Sequence, residues 1–368
     1  MAESPLPGID PADLEAVRSQ FTEATYRERE YAHLGSEARG IERGTVLIDG
    51  TAVRGYPSTP RVLVLESGVP RYFDDPVAIE EKLNGYNVRI AHVGEPLAFT
   101  RSGQVCPYTT RIAQERLDLE AFFAHHPEKM LCAEFVGPEN PYTSHDYDDV
   151  DGLEPRVFDV RDRESGRSMP VAERRSALER VGFPQPELFG ILEPEAAPEA
   201  VRDAIQALEE HNREGVVMQS ADGRDLLKYT TGSIHRQDLS SAFALPFDYG
   251  RDFLFSRLIR EGFQVVEFGE DEAAVRERAH EIGEAILEPM VETIRAVQGG
   301  EVVGERHTVR GSPGAVGELL IHLEEQGLGL EIEVDREVGD ERVVEFVKIA
   351  NTTRDTVEHF LEGGTIDQ

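Results

Sequence analysis

The chain has 368 residues, with 71 acidic against 38 basic side chains and a formal net charge of -33, yet 39% of it is hydrophobic. That length supports about two to four domains, and apolar periodicity throughout argues for a folded, solvated acidic surface suited to high salt rather than disorder. Two cysteines, Cys106 and Cys132, exclude a disulfide framework and a four-ligand zinc site. With no signal pattern and no 18-residue apolar run, the expectation is a cytoplasmic protein without a membrane partner.

Residues 11–35 read as an acidic amphipathic helix with Leu14, Val17, Phe21 and Tyr26 inward, broken at Gly35 and Gly40. Short strands are expected at 45–48 and 61–65, separated by the turn-rich Gly55-Tyr56-Pro57-Ser58. Residues 1–60 form a small N-terminal module in this reading.

The segment Glu81-Lys82-Leu83-Asn84-Gly85-Tyr86 then places a lysine on a sharp turn between two apolar runs, 77–81 and 86–93. Gly85 supplies the freedom for the reversal and for a close phosphate. Only four of the 38 basic residues are lysines: Lys82, Lys129, Lys228 and Lys348. Arginine serves wherever charge alone suffices, so a retained lysine is a candidate for losing its proton and attacking an electrophile. Lys129 and Lys348 read as ordinary surface lysines.

Arg101 lies beside Gly103 in a polar loop over 99–107, a place to meet a phosphate or ribose. A helix is expected at 113–126, then a strand at 130–137 in which Glu134 is the lone charge. A carboxylate there needs a cation or hydrogen-bond donors. The acidic run 145–152 tempts a calcium-loop reading, but counting from Asp146 the sixth and twelfth positions are Asp151 and Val157, not glycine and glutamate. That reading fails.

A strand at 157–160 and helices at 170–181 and 197–212 follow. Glu214 opens a second apolar strand, and Lys228 enters a third at 226–229. A nucleophilic lysine, two strand carboxylates and a strand-borne lysine together fit phosphoryl or nucleotidyl transfer. That chemistry uses a nucleophile, carboxylates for a divalent ion, and a cation for developing phosphate charge. Beyond 235, helices are expected at 251–260 and 271–297. The second carries a stripe of Val275, Ala279, Ile282, Ile286, Met290, Ile294 and Val297, either core or subunit interface. Strands at 329–334 and 341–349 and a helix at 353–361 complete a small α+β module.

These residues resemble, over about 60–235, the motifs of the covalent nucleotidyltransferase superfamily, and within it the archaeal homodimeric ATP-dependent RNA ligases. Lys82-Leu83-Asn84-Gly85 looks like the nucleophile motif, Phe99 to Gly103 the ribose- and phosphate-contacting segment, and Glu134-Phe135-Val136-Gly137 the third motif. Val157-Phe158-Asp159-Val160, Glu214-Gly215-Val216-Val217 and Leu227-Lys228-Tyr229 are similar to the later ones. Departures are Asn84 and Asn87, where DNA ligases and capping enzymes favour aspartate and arginine, and Leu226, where a second lysine is common and Arg224 is a candidate substitute.

The resemblance implies an α+β fold: a mixed or antiparallel-sheet, ATP-grasp-like nucleotidyltransferase domain over 61–235, a helical dimerisation domain over 236–300, and an α+β domain over 301–368. It implies ATP as substrate and Mg2+ or Mn2+ as cofactor. Lys82, Glu134, Glu214 and Lys228 are then catalytic; Asn87, Arg101, Glu134, Phe158 and Lys228 hold nucleotide, and Glu134 and Glu214 hold metal. The partners implied are a second copy of the chain and RNA with 5′-phosphate and 3′-hydroxyl ends, joined within one molecule or between two through a lysyl-AMP. The rivals are a DNA ligase, a capping enzyme, or a nucleotide- or RNA-binding module without chemistry.

Overall fold

The computed structural model describes residues 6–143, 145, 147 and 149–365; Asp146 and Asp148 of the acidic run lie outside the described residues. Helix α1 (Pro11–Val17) opens on Asp10, whose carboxylate accepts from Ala12 N–H, and a single 3-10 turn follows at Arg18–Gln20. The helix expected over 11–35 stops there. Residues rich in Thr and Tyr instead form the hairpin β1 (Phe21–Tyr26) and β2 (Arg29–Leu34), and Arg27 takes the left-handed conformation its turn requires. Strands β3 (Val46–Ile48) and β4 (Thr51–Val53) complete a four-stranded N-terminal sheet.

The strand expected at 61–65 is also replaced. Arg61 makes one parallel bridge to Lys228, and helix α2 (Leu65–Tyr72) begins where Leu65 and Val69 become buried on one face. The Leu65 and Glu66 N–H groups donate to the Glu267 carboxylate at 3.1 and 3.2 Å, an anionic cap supplied from 200 residues away.

Two antiparallel sheets make the centre. Strands β5 (Val77–Lys82) and β6 (Tyr86–His92) flank the lysine turn but belong to different sheets. After β7 (Pro96–Thr100), the expected single helix is two, α3 (Pro107–Arg116) and α4 (Leu119–His125); Asp118 caps the second through Ala121 N–H. Strands β8 (Lys129–Val136) and β9 (Glu154–Asp162) complete the sheet ordered β7-β6-β8-β9. Helix α5 (Val171–Arg180), strand β10 (Leu188–Leu192), helix α6 (Ala197–Glu210), and strands β11 (Gly215–Ser220) and β12 (Leu226–Thr230) supply the rest of the sheet ordered β10-β5-β11-β12.

Burial follows the period of two. In β8, Leu131, Ala133 and Phe135 face a core built with α3 and α4, while Met130 and Cys132 face the N-terminal sheet. Glu134 therefore falls on the N-terminal side, beyond the end of that packed patch. Arg89, fully buried in β6, donates to the Gly44, Arg54 and Thr100 carbonyls at 2.7–2.8 Å. It ties the N-terminal module to the central sheet, and its loss would leave those acceptors unpaired.

Helices α7 (Gly232–Ala244), α8 (Arg251–Glu267) and α9 (Glu272–Gly299) pack together. The stripe expected on α9 is split. Val297 joins a small core with Val303 and Val357, whereas Val275 and Ile294 are exposed. The C-terminal unit contains β13 (Gly304–Gly311) and α10 (Pro313–Glu325), neither anticipated, then β14 (Leu330–Val338), β15 (Glu341–Ile349) and α11 (Asn351–Leu361). Its Val316, Leu319 and Phe346 share a core with Tyr86 and Phe135, so it packs directly on the central sheet. The class is α+β with antiparallel sheets, and no helix among the described residues is long and apolar enough to cross a membrane.

Candidate active site

Lys82 is the last residue of β5, paired in register with Gly215 at the start of β11. Glu214 precedes that glycine, so the strand pairing itself brings the carboxylate to the lysine: Nζ lies 2.5 Å from Glu214 Oε2. Gly215 has φ 144°, and a Cβ there would stand 2.3 Å from the Tyr229 carbonyl oxygen. Gly85 is required for a related reason. A Cβ on it would stand 2.2 Å from the Phe135 carbonyl oxygen, so it lets the lysine turn close onto β8.

The two sheets diverge at this turn and leave a cavity, open to solvent, between them. One sheet supplies Lys82, Val217 and Lys228 to its lining, and the other supplies Asn87, Glu134 and Phe158. Arg101 enters from the turn after β7, and Tyr56 from the N-terminal module. Every site residue expected from the sequence thus lines this space except Glu214, which reaches it through Lys82. Arg224 does not: it is exposed and paired with Asp222. Two residues before Lys228 on the same strand, apolar Leu226 lines the cavity where a second lysine is common.

Burial pushes the Glu134 carboxyl up to about 7, with Glu214 adding to the rise and Lys82, Arg101 and the Gly85 N–H opposing it. Burial likewise lowers the Lys228 ammonium to about 8, helped by Arg61 and Lys82. Two carboxylates that repel one another beside the cavity suit a divalent cation. Magnesium-type ions take one or two carboxylates and complete their shell with water and substrate phosphates, so a third protein ligand is unnecessary. Asn87, on the cavity wall, has a buried Oδ1 without a partner among the described residues, an acceptor left free for a donor.

Phe158 makes an edge-to-face contact with Tyr56, centroids 5.2 Å apart, and both rings line the cavity together with apolar Val217. Arg174 fixes this wall. Its guanidinium bonds the Phe158 carbonyl, Gln219 at 3.0 Å and Glu80 at 2.5 Å, so one buried arginine joins both sheets. Arg174 escaped the sequence reading, because its partners are distant in sequence and an arginine in an amphipathic helix gives no signal of burial.

Two family models match the chain: RNA ligase over residues 75–230, and ligase Pab1020 C-terminal region over residues 241–364. An uncharacterized protein of Methanocaldococcus jannaschii is 38% identical over 94% of this chain and 92% of its own. A solved archaeal ATP-dependent RNA ligase is 38% identical, with a TM-score of 0.91 over 98% of this chain and 97% of that one. A provisionally named ATP-dependent DNA ligase from Aquifex aeolicus shares the fold, with a TM-score of 0.90 at 23% identity over 97% of this chain and 100% of that one.

Proposed function

We propose, for a chain that belongs to the archaeal ATP-dependent RNA ligase family, that Lys82 is the nucleophile through which ATP energy is passed to an RNA end. The observation that carries this reading is the Lys82–Glu214 pair at the wall of a cavity holding Arg101, Glu134, Phe158 and Lys228.

In the first step the Lys82 amine attacks the α-phosphorus of ATP. An N–P bond forms, the bond to the β-phosphate oxygen breaks, and pyrophosphate leaves. Nζ must first shed a proton, and Glu214 Oε2 is the acceptor within reach. Lys228 and Arg101 meet the phosphate charge, Phe158 stacks on the adenine, and Asn87 accepts a hydrogen bond from the nucleotide. Glu134 and Glu214 would hold a Mg2+ or Mn2+ ion, which supplies positive charge to the phosphates when bound.

In the second step an oxygen of the RNA 5′-phosphate attacks the same phosphorus, the N–P bond breaks, and Nζ regains its proton. The 3′-hydroxyl then attacks the RNA phosphorus and AMP leaves. We also read the protein as a homodimer. Phe255, Leu258, Ile259 and Val266 of α8 are exposed at helical spacing, a single apolar face without cover in one chain.

The test is incubation with α-labelled ATP and a divalent metal, followed by denaturing electrophoresis. Label should stay on the wild type and be absent from Lys82→Ala; an adduct surviving that substitution would overturn the assignment. Offering the labelled enzyme RNA or DNA ends separates RNA sealing from DNA sealing.

A further inference from the structure

Lys348, expected as an ordinary surface lysine, has a side chain only 12% exposed. Burial lowers its ammonium to about 8, and Glu305 opposes that. The register of β13 on β15 sets Glu305 opposite Lys348 and His307 opposite Phe346. The Glu305 carboxylate lies 3.9 Å from Lys348 Nζ and 3.7 Å from His307 Nε2, and accepts from the Tyr249 hydroxyl at 3.2 Å. None of these groups lines the cavity beside Lys82.

The cluster ends on the loop that follows Glu134. The His307 ring, 5% exposed, stacks on Phe346 with centroids 5.6 Å apart, and its Nδ1 lies 3.0 Å from the Asn140 carbonyl oxygen. A carbonyl only accepts, so Nδ1 carries a proton and donates. Lys348 Nζ lies 5.7 Å from the centre of the Tyr142 ring. Arg310, also on β13, donates to the Glu139 carboxylate at 2.7 Å. Glu139, Asn140 and Tyr142 are thus each held by a residue of the C-terminal unit.

Asn140 is 2% exposed and carries that hold inward. Its Oδ1 accepts from the Tyr142 and Thr143 N–H groups at 2.9 and 3.1 Å, which folds the loop. Its Nδ2 donates to the Thr143 hydroxyl at 2.7 Å and to the Phe135 carbonyl at 3.2 Å. That carbonyl is the one against which Gly85 closes, and the Gly85 N–H bonds the Glu134 carboxylate. His307 is therefore linked to the turn carrying Lys82 through Asn140, Phe135 and Gly85.

We propose that His307 and Asn140 are positioning residues for the adenylylation step, through which the C-terminal unit sets Glu134 and the turn that carries Lys82. Neither residue lines the cavity, so the effect falls on the rate at saturating ATP and not on ATP affinity. The inference rests on the reading of Lys82 as the adenylated nucleophile.

Single-turnover lysyl-AMP formation from α-labelled ATP, measured on the intact chain with melting curves alongside, tests it. Asn140→Asp keeps the acceptor that folds the loop and loses the donor to Phe135. His307→Phe keeps a ring on Phe346 and loses the donor to Asn140, whereas His307→Asn places an amide N–H near the Nδ1 position. As a control, Val357→Ala opens the small core of Val297, Val303 and Val357 and removes none of these hydrogen bonds. For Asn140→Asp and His307→Phe the rate at saturating ATP should fall ~10-fold, while the ATP concentration for half-maximal rate moves less than ~2-fold. His307→Asn should recover part of the loss, and Val357→Ala should lose melting temperature but keep its rate. Unchanged rates, a loss confined to ATP affinity, or an equal loss of rate in Val357→Ala overturns the proposal. Should Asn140→Asp unfold, His307→Phe decides. A wild type that takes no label indicts the Lys82 reading instead.

Discussion

The Asn84 N–H donates to the Tyr147 hydroxyl at 2.6 Å, joining the turn that carries Lys82 to the segment after β8. Beneath that bond Leu83, Val136, Tyr147 and Val150 form a small buried cluster. The Arg213 guanidinium lies 4.2 Å from the centre of the Tyr147 ring and pairs with Asp149 at 2.6 Å and Glu81 at 3.4 Å. The turn carrying Lys82 is thus held from two sides. Tyr147→Phe keeps the ring and the stacking but removes the acceptor for Asn84, so it should slow single-turnover lysyl-AMP formation ~10-fold at saturating ATP while costing about 1 kcal/mol of stability. An unchanged rate, or a loss confined to ATP affinity, would remove Tyr147 from the positioning of Lys82.

Two opposed shifts fix a pH window. Burial pushes the Glu134 carboxyl up to about 7 and the Lys228 ammonium down to about 8, and the proposed mechanism asks for an ionised carboxylate with a charged ammonium. The kcat/KM of adenylylation, which reports the free enzyme, should rise through the first value and fall through the second. Stability runs the other way on the acid side. The folded Glu134 value lies above its ordinary 4.5, so the stability its proton confers is complete below about 4.5 and is lost as pH rises through about 7. Melting curves over that interval should therefore decline less for Glu134→Gln than for the wild type. A flat rate profile from about pH 6 to about 9 would contradict the assignment.

How much of this was readable follows from where each signal lay. Lys82, Glu134 and Glu214 stood out because a scarce lysine on a turn and lone charges in apolar strands are local anomalies, and register then brings two of them together. The hairpin at 21–34 was hidden, since its acidic residues alternate with Phe21, Tyr26 and Tyr31 in a way that also fits a helical face. The run Val62-Leu63-Val64 reads as strand, yet the buried contacts of Leu65 and Val69 and the distant Glu267 cap decide for helix α2. Arg174 was illegible because it acts through partners more than fifteen residues away.

Phe158 offers a cleaner discrimination between stacking and plain packing. It is only partly buried, and besides its edge contact with Tyr56 it borders the cavity. Phe158→Leu keeps apolar bulk and removes the flat face. The ATP concentration for half-maximal adenylylation should rise ~10-fold, with about 1 kcal/mol or less lost in stability. A loss of melting temperature without a change in ATP dependence would make the ring a core residue only.

On α8, Phe255 and Val266 are 65% and 79% exposed, so charges placed there disturb no packing within one chain. Phe255→Glu with Val266→Glu should give a folded monomer by sedimentation, where the wild type should sediment as a dimer. A monomeric wild type would end the proposal.

Salt sets the last prediction, because charge and substrate conflict. RNA phosphates meet a protein of net charge -33, and its acids are displayed rather than hidden: Glu277, Glu288 and Glu292 on α9 and Glu331 and Glu337 on β14 are all exposed. Nucleic-acid binding through phosphate contacts ordinarily weakens as salt rises, through counterion release. Opposing this are self-repulsion within the fold and long-range repulsion of RNA, both of which fade as the screening length shortens to about 3 Å at 1 M salt. Lys228, the cation proposed to meet phosphate at the site, sits in a partly buried position where screening is weaker. Repulsion is therefore relieved before attraction is lost, and ligation should climb with KCl to an optimum in the molar range. Circular dichroism and RNA sealing followed over one titration separate refolding from binding. Sealing that is maximal near ~50 mM and declines steadily above it, while the fold is intact throughout, would show that phosphate contacts dominate and that the acidic surface has no part in the salt response.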